Sequence, residues 1–391
     1  MEQAVIIDIV RTPGGKRGGR LSGWHAVDLA SEPLKALVER NDIDPGLIED
    51  VIMGCVTQIG EQGVNIARNA VLAAGFPESV CGTTLDRQCG SSQQAATFAA
   101  QAIMSGSQDI VIAAGIECMT RVPLGANMSS GPGMPFGPRM NDRYRANGGI
   151  VPQGISAEMI ADMWHLSREE LDEYSFKSHM RAHLATTEHR FDHEIIPIAV
   201  RDPQGRETGE ILSVDEGIRG DTSPEKLAGL KPAFKENGKI TAGNSSQITD
   251  GASAALIMSE SMASKLNLKP RARFAAFALA GVDPITMLTG PIPATRKILA
   301  KSGIALEELD LIEINEAFAS VVLAWEKEIK PDMEKVNVNG GAIALGHPLG
   351  ASGTRLLATL LNELERTGGR FGLQTMCEGG GQANATIIER L

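Results

Sequence analysis

Short apolar runs rich in β-branched residues recur along the chain, separated by stretches with helical periodicity. AVIIDIV (4–10), DVIMGCV (50–56) and DIVIAAG (109–115) are short and almost uniformly apolar, and each predicts a buried strand. Between the last two, SSQQAATFAAQAIMSG (91–106) is rich in alanine and stops at Ser105-Gly106. It predicts a helix whose small faces suit burial. The C-terminal part repeats the rhythm. ARFAAFALAG (272–281) and LIEINEAF (311–318) open it. In GASGTRLLATLLNELERTGG (350–369), Leu356, Leu357, Leu360, Leu361 and Leu364 share one helical face, and Gly368-Gly369 end the helix. GLQTMCEGG (372–380) follows as a strand.

Laying DIVIAAG over FGLQTMC brings GSS (90–92) onto SGT (352–354), so the chain reads as a duplicated α/β unit. The middle breaks the pattern. Residues 119–155, which include GANMSSGPGMPFGPRM, predict loop. SREELDEYSFKSHMRAHLATTEHRF then predicts a polar-faced helix opened by a capping box of Ser167 and Glu170. FDHEIIPIAV (191–200) predicts a strand, and 203–247 is irregular again. The expected organisation is a first domain of 1–118 plus 249–268, an inserted loop domain of 119–248, and a second domain of 269–391.

Composition narrows the function. A chain of 391 residues with 42% hydrophobic and 22% charged residues is globular and exceeds one ordinary core. The net charge of -11, with no long basic run, argues against nucleic acid as a partner. The N-terminal segment reads as a strand and not as a signal peptide, and no apolar run is long enough to span a bilayer. Five widely spaced cysteines without a CxxC exclude a disulfide framework or zinc finger and fit a reducing cytoplasm. His179 and His183 stand one helical turn apart, but HExxH is absent, and a solvated helix face is the expectation; no metal site is predicted. GGKRGG (14–19) lacks the Ser or Thr of a phosphate loop and reads as a turn.

Four stretches carry candidate chemistry. In LDRQCGSSQQA, Cys89 precedes Gly90, Ser91 and Ser92, which can start a helix; the positive end of that helix would lower the thiol pKa towards neutrality. A small buried thiol is the bland alternative. In GHPLGASG (346–353), His347 lies in a rigid turn where an imidazole can serve as a base, or do nothing. In MCEGGGQAN (376–384), Cys377 ends a strand, and the amides of Gly379 and its neighbours can form an oxyanion hole or simply a turn. In INEAF (314–318), Asn315 can position a water or cap a helix. Together these are parts for thioester chemistry.

Over its whole length the sequence resembles the thiolase family, the acetyl-CoA C-acyltransferases. The stretches that carry the resemblance are RTPGGKRGG (11–19), CGSS at Cys89, GNSSQITDGASA (243–254), DPITMLTGPIPA (283–294), NEAF, NGGAIALGHPLGASG (339–353) and CEGGGQANA (377–385). The resemblance implies an α/β thiolase fold: two duplicated five-stranded βαβαβαββ-type domains with an inserted loop domain. It implies Cys89 as the acylated nucleophile, His347 as its base, and Cys377 as the acid/base at carbon. Asn315 would hold a water beside the thioester oxygen, and the amides of Cys89 and Gly379 would form a second oxyanion hole. For CoA it points to Arg219 near the adenine, Ser246 on the pantetheine arm, Phe234, Ala242 and Phe318 as channel walls, and Met287 near the acyl pocket. CoA and acyl-CoA are then substrates, no tightly bound cofactor is implied, and a homodimer or homotetramer is expected by analogy.

Departures from the family pattern bear on the substrate. Asp86 stands where asparagine is common, Pro152-Gln153 where short-chain synthetic members carry His-Met, and Lys226 where a CoA-contacting serine is common. The Gln93-Gln94 pair is also unusual. These favour a degradative 3-ketoacyl-CoA thiolase taking a longer or bulkier acyl group, a steroid side chain included. The alternatives are a biosynthetic acetoacetyl-CoA thiolase, a condensing enzyme of the same superfamily, and a non-catalytic CoA-thioester binding protein.

Overall fold

A computed structural model describes residues 2–129 and 131–391. The first half runs β1 (Ala4–Arg11), α1 (Ala26–Asn41), β2 (Asp50–Gly54), α2 (Ile66–Ala73), β3 (Cys81–Leu85), α3 (Ser91–Met104) and β4 (Ile110–Cys118). After the insertion, which holds α4 (Gln153–Met163) and α5 (Arg168–Thr187), β5 (Thr249–Ser259) returns to the first half. The second half runs β6 (Ala272–Gly281), α6 (Pro291–Ser302), β7 (Leu311–Ile314), α7 (Ala319–Ile329), α8 (Ser352–Thr367), β8 (Phe371–Glu378) and β9 (Gln382–Arg390).

The strand order is β7-β8-β9-β6-β1-β5-β4-β2-β3, so the two halves share one sheet, joined where Val5 pairs Arg273 and Ile6 pairs Ala272. In the first half, β3-β2-β4 are parallel and β5 and β1 antiparallel. The second half repeats this with β7 and β8 parallel and β9 and β6 antiparallel. The fifth place is filled by a single bridge, Ile312 to Val336. There Asn337 replaces a ladder with its side chain: its Oδ1 accepts from Ile314 N–H at 2.9 Å, and its Nδ2 donates to Ile314 O at 2.9 Å. One side chain satisfies backbone that a full strand would otherwise cover.

Helices α3 and α8 lie between the halves and share one core with both, through Ala95, Ala99, Leu357 and Leu361 against Ile6, Ile9, Ile257 and Phe274. Ile6 and Ile9 share a face because a bulge between Ile6 and Asp8 resets the strand alternation. Val5, Ile7 and Val10 face the opposite core with α1 and α2.

The insertion differs from expectation in several places. Residues 191–200 are not one strand: Ile198–Arg201 pairs Glu207–Leu212, and Ile195 makes only a bridge to Arg11. The stretch 119–155 holds short helices Ala126–Ser129 and Pro138–Arg145, and 203–247 holds a strand and the helix Pro224–Ala228. Helix α5 starts on the predicted capping box, but it is not a solvated helix. Leu171, Ser175, Ser178, Ala182 and Ala185 make a buried stripe, and His179 is buried beside it, its Nδ1 accepting from Arg219 N–H at 3.2 Å. Small and polar residues that find partners inside the protein hide this stripe from an apolar count.

Candidate active site

Cys89 sits at a turn between β3 and α3. Asp86 Oδ1 accepts from the Gln88 amide at 2.6 Å, and Gln88 takes a positive φ of 49°, which drives the chain inward. The thiol is buried, packed with Val56, Met119, Leu349 and Met376. Burial, aided by the Glu378 carboxylate, pushes it up to about 12; the Gln153 side chain and the amides of Cys89 and Gly379 pull the other way. A thiolate near neutral pH, expected from the helix start, is therefore not met in the free protein. The helix begins only at Ser91, and loss of water outweighs its dipole.

His347 is buried in the turn before α8. Its amide donates to Gln247 O and Thr249 Oγ1, and Gly346 adopts φ 88° with Thr249 where a Cβ would stand. Nδ1 lies 2.6 Å from Ser352 Oγ, and Nε2 lies 3.3 Å from Asn315 Nδ2. Burial and the Arg355 charge lower its pKa to about 3, so the ring is neutral. Asn315 leaves its Oδ1 without a partner among the described residues.

Cys377 is fully buried near the end of β8, and burial, then Cys89, then Glu378 raise its pKa. It packs in a cluster with Met287 and Phe318. Gly380 and Gly381 turn the chain with φ of 79° and 80°, which presents the Gly379 amide towards Cys89.

Two carboxylates hold this frame, and the sequence reading assigns a role to neither. Glu117, at the end of an otherwise apolar strand, accepts from the amides of Val56, Thr57 and Gly350 at 3.0, 3.0 and 2.9 Å. It thereby ties the Cys89 pocket to the His347 turn. Glu316 accepts from Tyr174 Oη at 2.8 Å, Ser178 Oγ at 2.7 Å and the Ile343 amide at 3.1 Å. An acid inside an apolar run was the available signal in both.

The residues expected to meet CoA fall around the insertion. The Ser246 amide donates to Ala317 O at 2.9 Å, which places it beside Phe318. Phe234 meets Phe318 edge-on at 6.0 Å, and its ring fills the space a Gly154 Cβ would need. Ala242 and Arg219 are exposed, and Lys226 is held by Asp221 at 2.9 Å. Gln93 is no pocket residue: its Nε2 donates to Thr386 Oγ1 at 3.0 Å and to Gln374 O at 3.3 Å, bridging the two halves. Gln94 is buried too.

Fold and site together define a class: a duplicated α/β protein with two buried thiols and a neutral imidazole where its halves meet. Comparison with known proteins makes this specific. Residues 4–261 match the thiolase N-terminal domain and residues 268–390 the thiolase C-terminal domain. The chain belongs to the thiolase family and has its fold. It is 52% identical to the steroid 3-ketoacyl-CoA thiolase FadA6 of Mycobacterium tuberculosis, over 100% of this chain and 95% of that protein. It is 46% identical to the 3-ketoacyl-CoA thiolase of Aliivibrio fischeri, over 100% of both. Its structure matches that of the Bacillus anthracis acetyl-CoA acetyltransferase with a TM-score of 0.91 and 40% identity, covering 100% of this chain and 99% of the other.

Proposed function

We propose that this thiolase cleaves 3-ketoacyl-CoA with free CoA, giving acetyl-CoA and a shortened acyl-CoA, in the degradative direction. The Cys89 proton passes to His347 Nε2 as the sulfur bonds the keto carbon. The bond between the α and β carbons then breaks, and the acetyl-CoA carbanion takes the Cys377 proton. CoA thiol next gives its proton to the Cys377 thiolate and attacks acyl-Cys89; the Cys89 sulfur leaves, taking back the proton held by His347, and the acyl group departs as a new CoA thioester. The amides of Cys89 and Gly379 receive one oxyanion; His347 and a water on Asn315 receive the other. The observation that carries this is the neutral His347, its Nε2 side turned to Asn315, together with the Cys89–Gly379–Cys377 cluster. A thiol kept protonated by burial suits Cys377 as the acid.

Arg219, Ser246, Phe234, Ala242, Met287 and Phe318 are assigned to the CoA and acyl channel, with CoA a substrate and no tightly held cofactor. The similarity to a protein named a steroid thiolase supports a bulky acyl group. Among the described residues no helix is long and apolar enough to cross a membrane; a cytoplasmic homodimer or homotetramer is the accompanying assignment, as is the division at 118, 248 and 268.

The test is mass mapping of tryptic peptides after incubation with a 3-ketoacyl-CoA. The acyl group is expected on Cys89; label on no cysteine, or on another, rejects the mechanism. A thiolysis panel of short, long, branched and steroid 3-ketoacyl-CoAs ranks the substrates, with bulky chains expected to be turned over best.

A further inference from the structure

One buried carboxyl beside the site has no part in the chemistry above. Glu378 ends β8, directly after Cys377, and is fully buried. Neither of its oxygens has a hydrogen-bond partner among the described residues. A Cβ on Gly90 would fall 2.0 Å from Glu378 Oε1, so the carboxyl is seated on the backbone of the residue after Cys89. Asn384 reaches the same place, its Nδ2 donating to Gly90 O at 3.1 Å. Gln88 Oε1 stands 2.9 Å from where a Gly379 Cβ would be. Gln88, Glu378 and Asn384 thus clasp the turn that carries the Cys89 amide to the turn that carries the Gly379 amide.

A buried carboxylate without a donor is costly, whereas the neutral acid is tolerated. The charged and titratable groups around it act in both directions. Burial raises its pKa to about 8; Arg87 favours the ionised form and Asp86 opposes it. The ionised form in turn raises Cys89 and Cys377. The α3 and β9 residues nearby, Gln93, Gln94, Gln382 and Asn384, are neutral.

We propose that Glu378 is a positioning residue that must hold its proton for acyl transfer. Neutral, it braces the Cys89–Gly379 amide pair. Ionised, it opposes negative charge on both thiols and on the oxyanion those amides receive. This rests on Cys89 being the residue acylated.

The experiment times Cys89 acylation by a 3-ketoacyl-CoA without free CoA, using rapid quench and intact mass, in the wild type and Glu378→Gln. The amide keeps the neutral shape and cannot ionise. The ratio of variant to wild-type rate cancels the intrinsic rise of thiol reactivity with pH. It is expected to be flat below about pH 7 and to climb to about tenfold near pH 9, where only about one wild-type molecule in ten keeps its Glu378 proton. A flat ratio with Cys89 acylated in both overturns the proposal alone. No acyl group on Cys89 at any pH overturns the nucleophile assignment with it. Should Glu378→Gln not fold, Asp86→Asn is expected to move the wild-type loss to lower pH and Arg87→Gln to higher pH; unmoved midpoints overturn the role.

Discussion

The hydroxyl of Ser352 lies 2.6 Å from His347 Nδ1 and donates its one proton to the carbonyl of Pro348 at 2.8 Å. Ser352 must therefore accept from His347, which places the imidazole proton on Nδ1 and leaves the Nε2 lone pair facing Asn315. The tautomer needed for a base follows from one serine in the first turn of α8.

Ser352→Ala removes that acceptor and frees the ring to carry its proton on Nε2, where it cannot act as a base. Turnover is expected to fall on the order of a hundredfold, with KM for the acyl-CoA little changed. Steady-state thiolysis reads both constants. An unchanged kcat would show that the ring finds its tautomer without the serine.

Two buried histidines contribute to the loss of stability in acid. Burial lowers His347 to about 3 and His179 to about 4, from 6.5. Each folded-state pKa is depressed, so the stability they contribute is full above about pH 6.5 and is lost as pH falls towards those values. The melting temperature is expected to decline below about pH 6.5, and His179→Gln should flatten part of that decline. Glu378 has the opposite sign. Its pKa rises from 4.5 to about 8 on folding, so its contribution is present below 4.5 and lost as pH climbs through 8. Differential scanning calorimetry across the pH range checks both limbs.

The parts of the fold legible in the sequence were those whose pattern owes little to partners. The strand read at 4–10 and the helix with the Leu356 to Leu364 face lie as read, because apolar runs and a leucine stripe need no tertiary knowledge. The pattern of helix α5 points to solvent because its buried stripe is largely serine, alanine and histidine, made compatible with burial by Glu316 and Arg219 from distant segments. The candidate site was legible as a set of motifs. The charges were not: Cys89 stood at a plausible helix start, but desolvation depends on Val56, Met119, Leu349 and Met376, which the sequence scatters over three hundred residues.

Arg11 is fully buried at the end of β1 and pairs with two carboxylates of the insertion, Glu194 at 2.6 Å and Asp215 at 2.7 Å. Removing it strands both acids in the interior. Arg11→Ala is expected to cost about 3–5 kcal/mol, read as a lower midpoint in urea. A loss under about 1 kcal/mol would mean that water replaces the guanidinium.

Gly353 is the point where α8 crosses α3. A Cβ there would stand 2.0 Å from Gln93 N and 2.7 Å from its Cα, backbone atoms that cannot turn aside. The neighbouring Thr354 amide donates to Ser92 Oγ at 3.0 Å across the same crossing. Gly353→Ala must push the helices apart, at a cost of about 1–3 kcal/mol or more. Gly368→Ala is the control: φ is 75° but the space is open, so only the backbone penalty of about 1 kcal/mol applies. The two variants should separate further in activity. Cys89 leads into α3 and His347 leads into α8, so spreading the helices moves the proposed nucleophile and base apart, whereas a change at the far end of α8 does not. Thermal unfolding and kcat measured on both variants test this, and a Gly353→Ala protein with wild-type turnover would refute it.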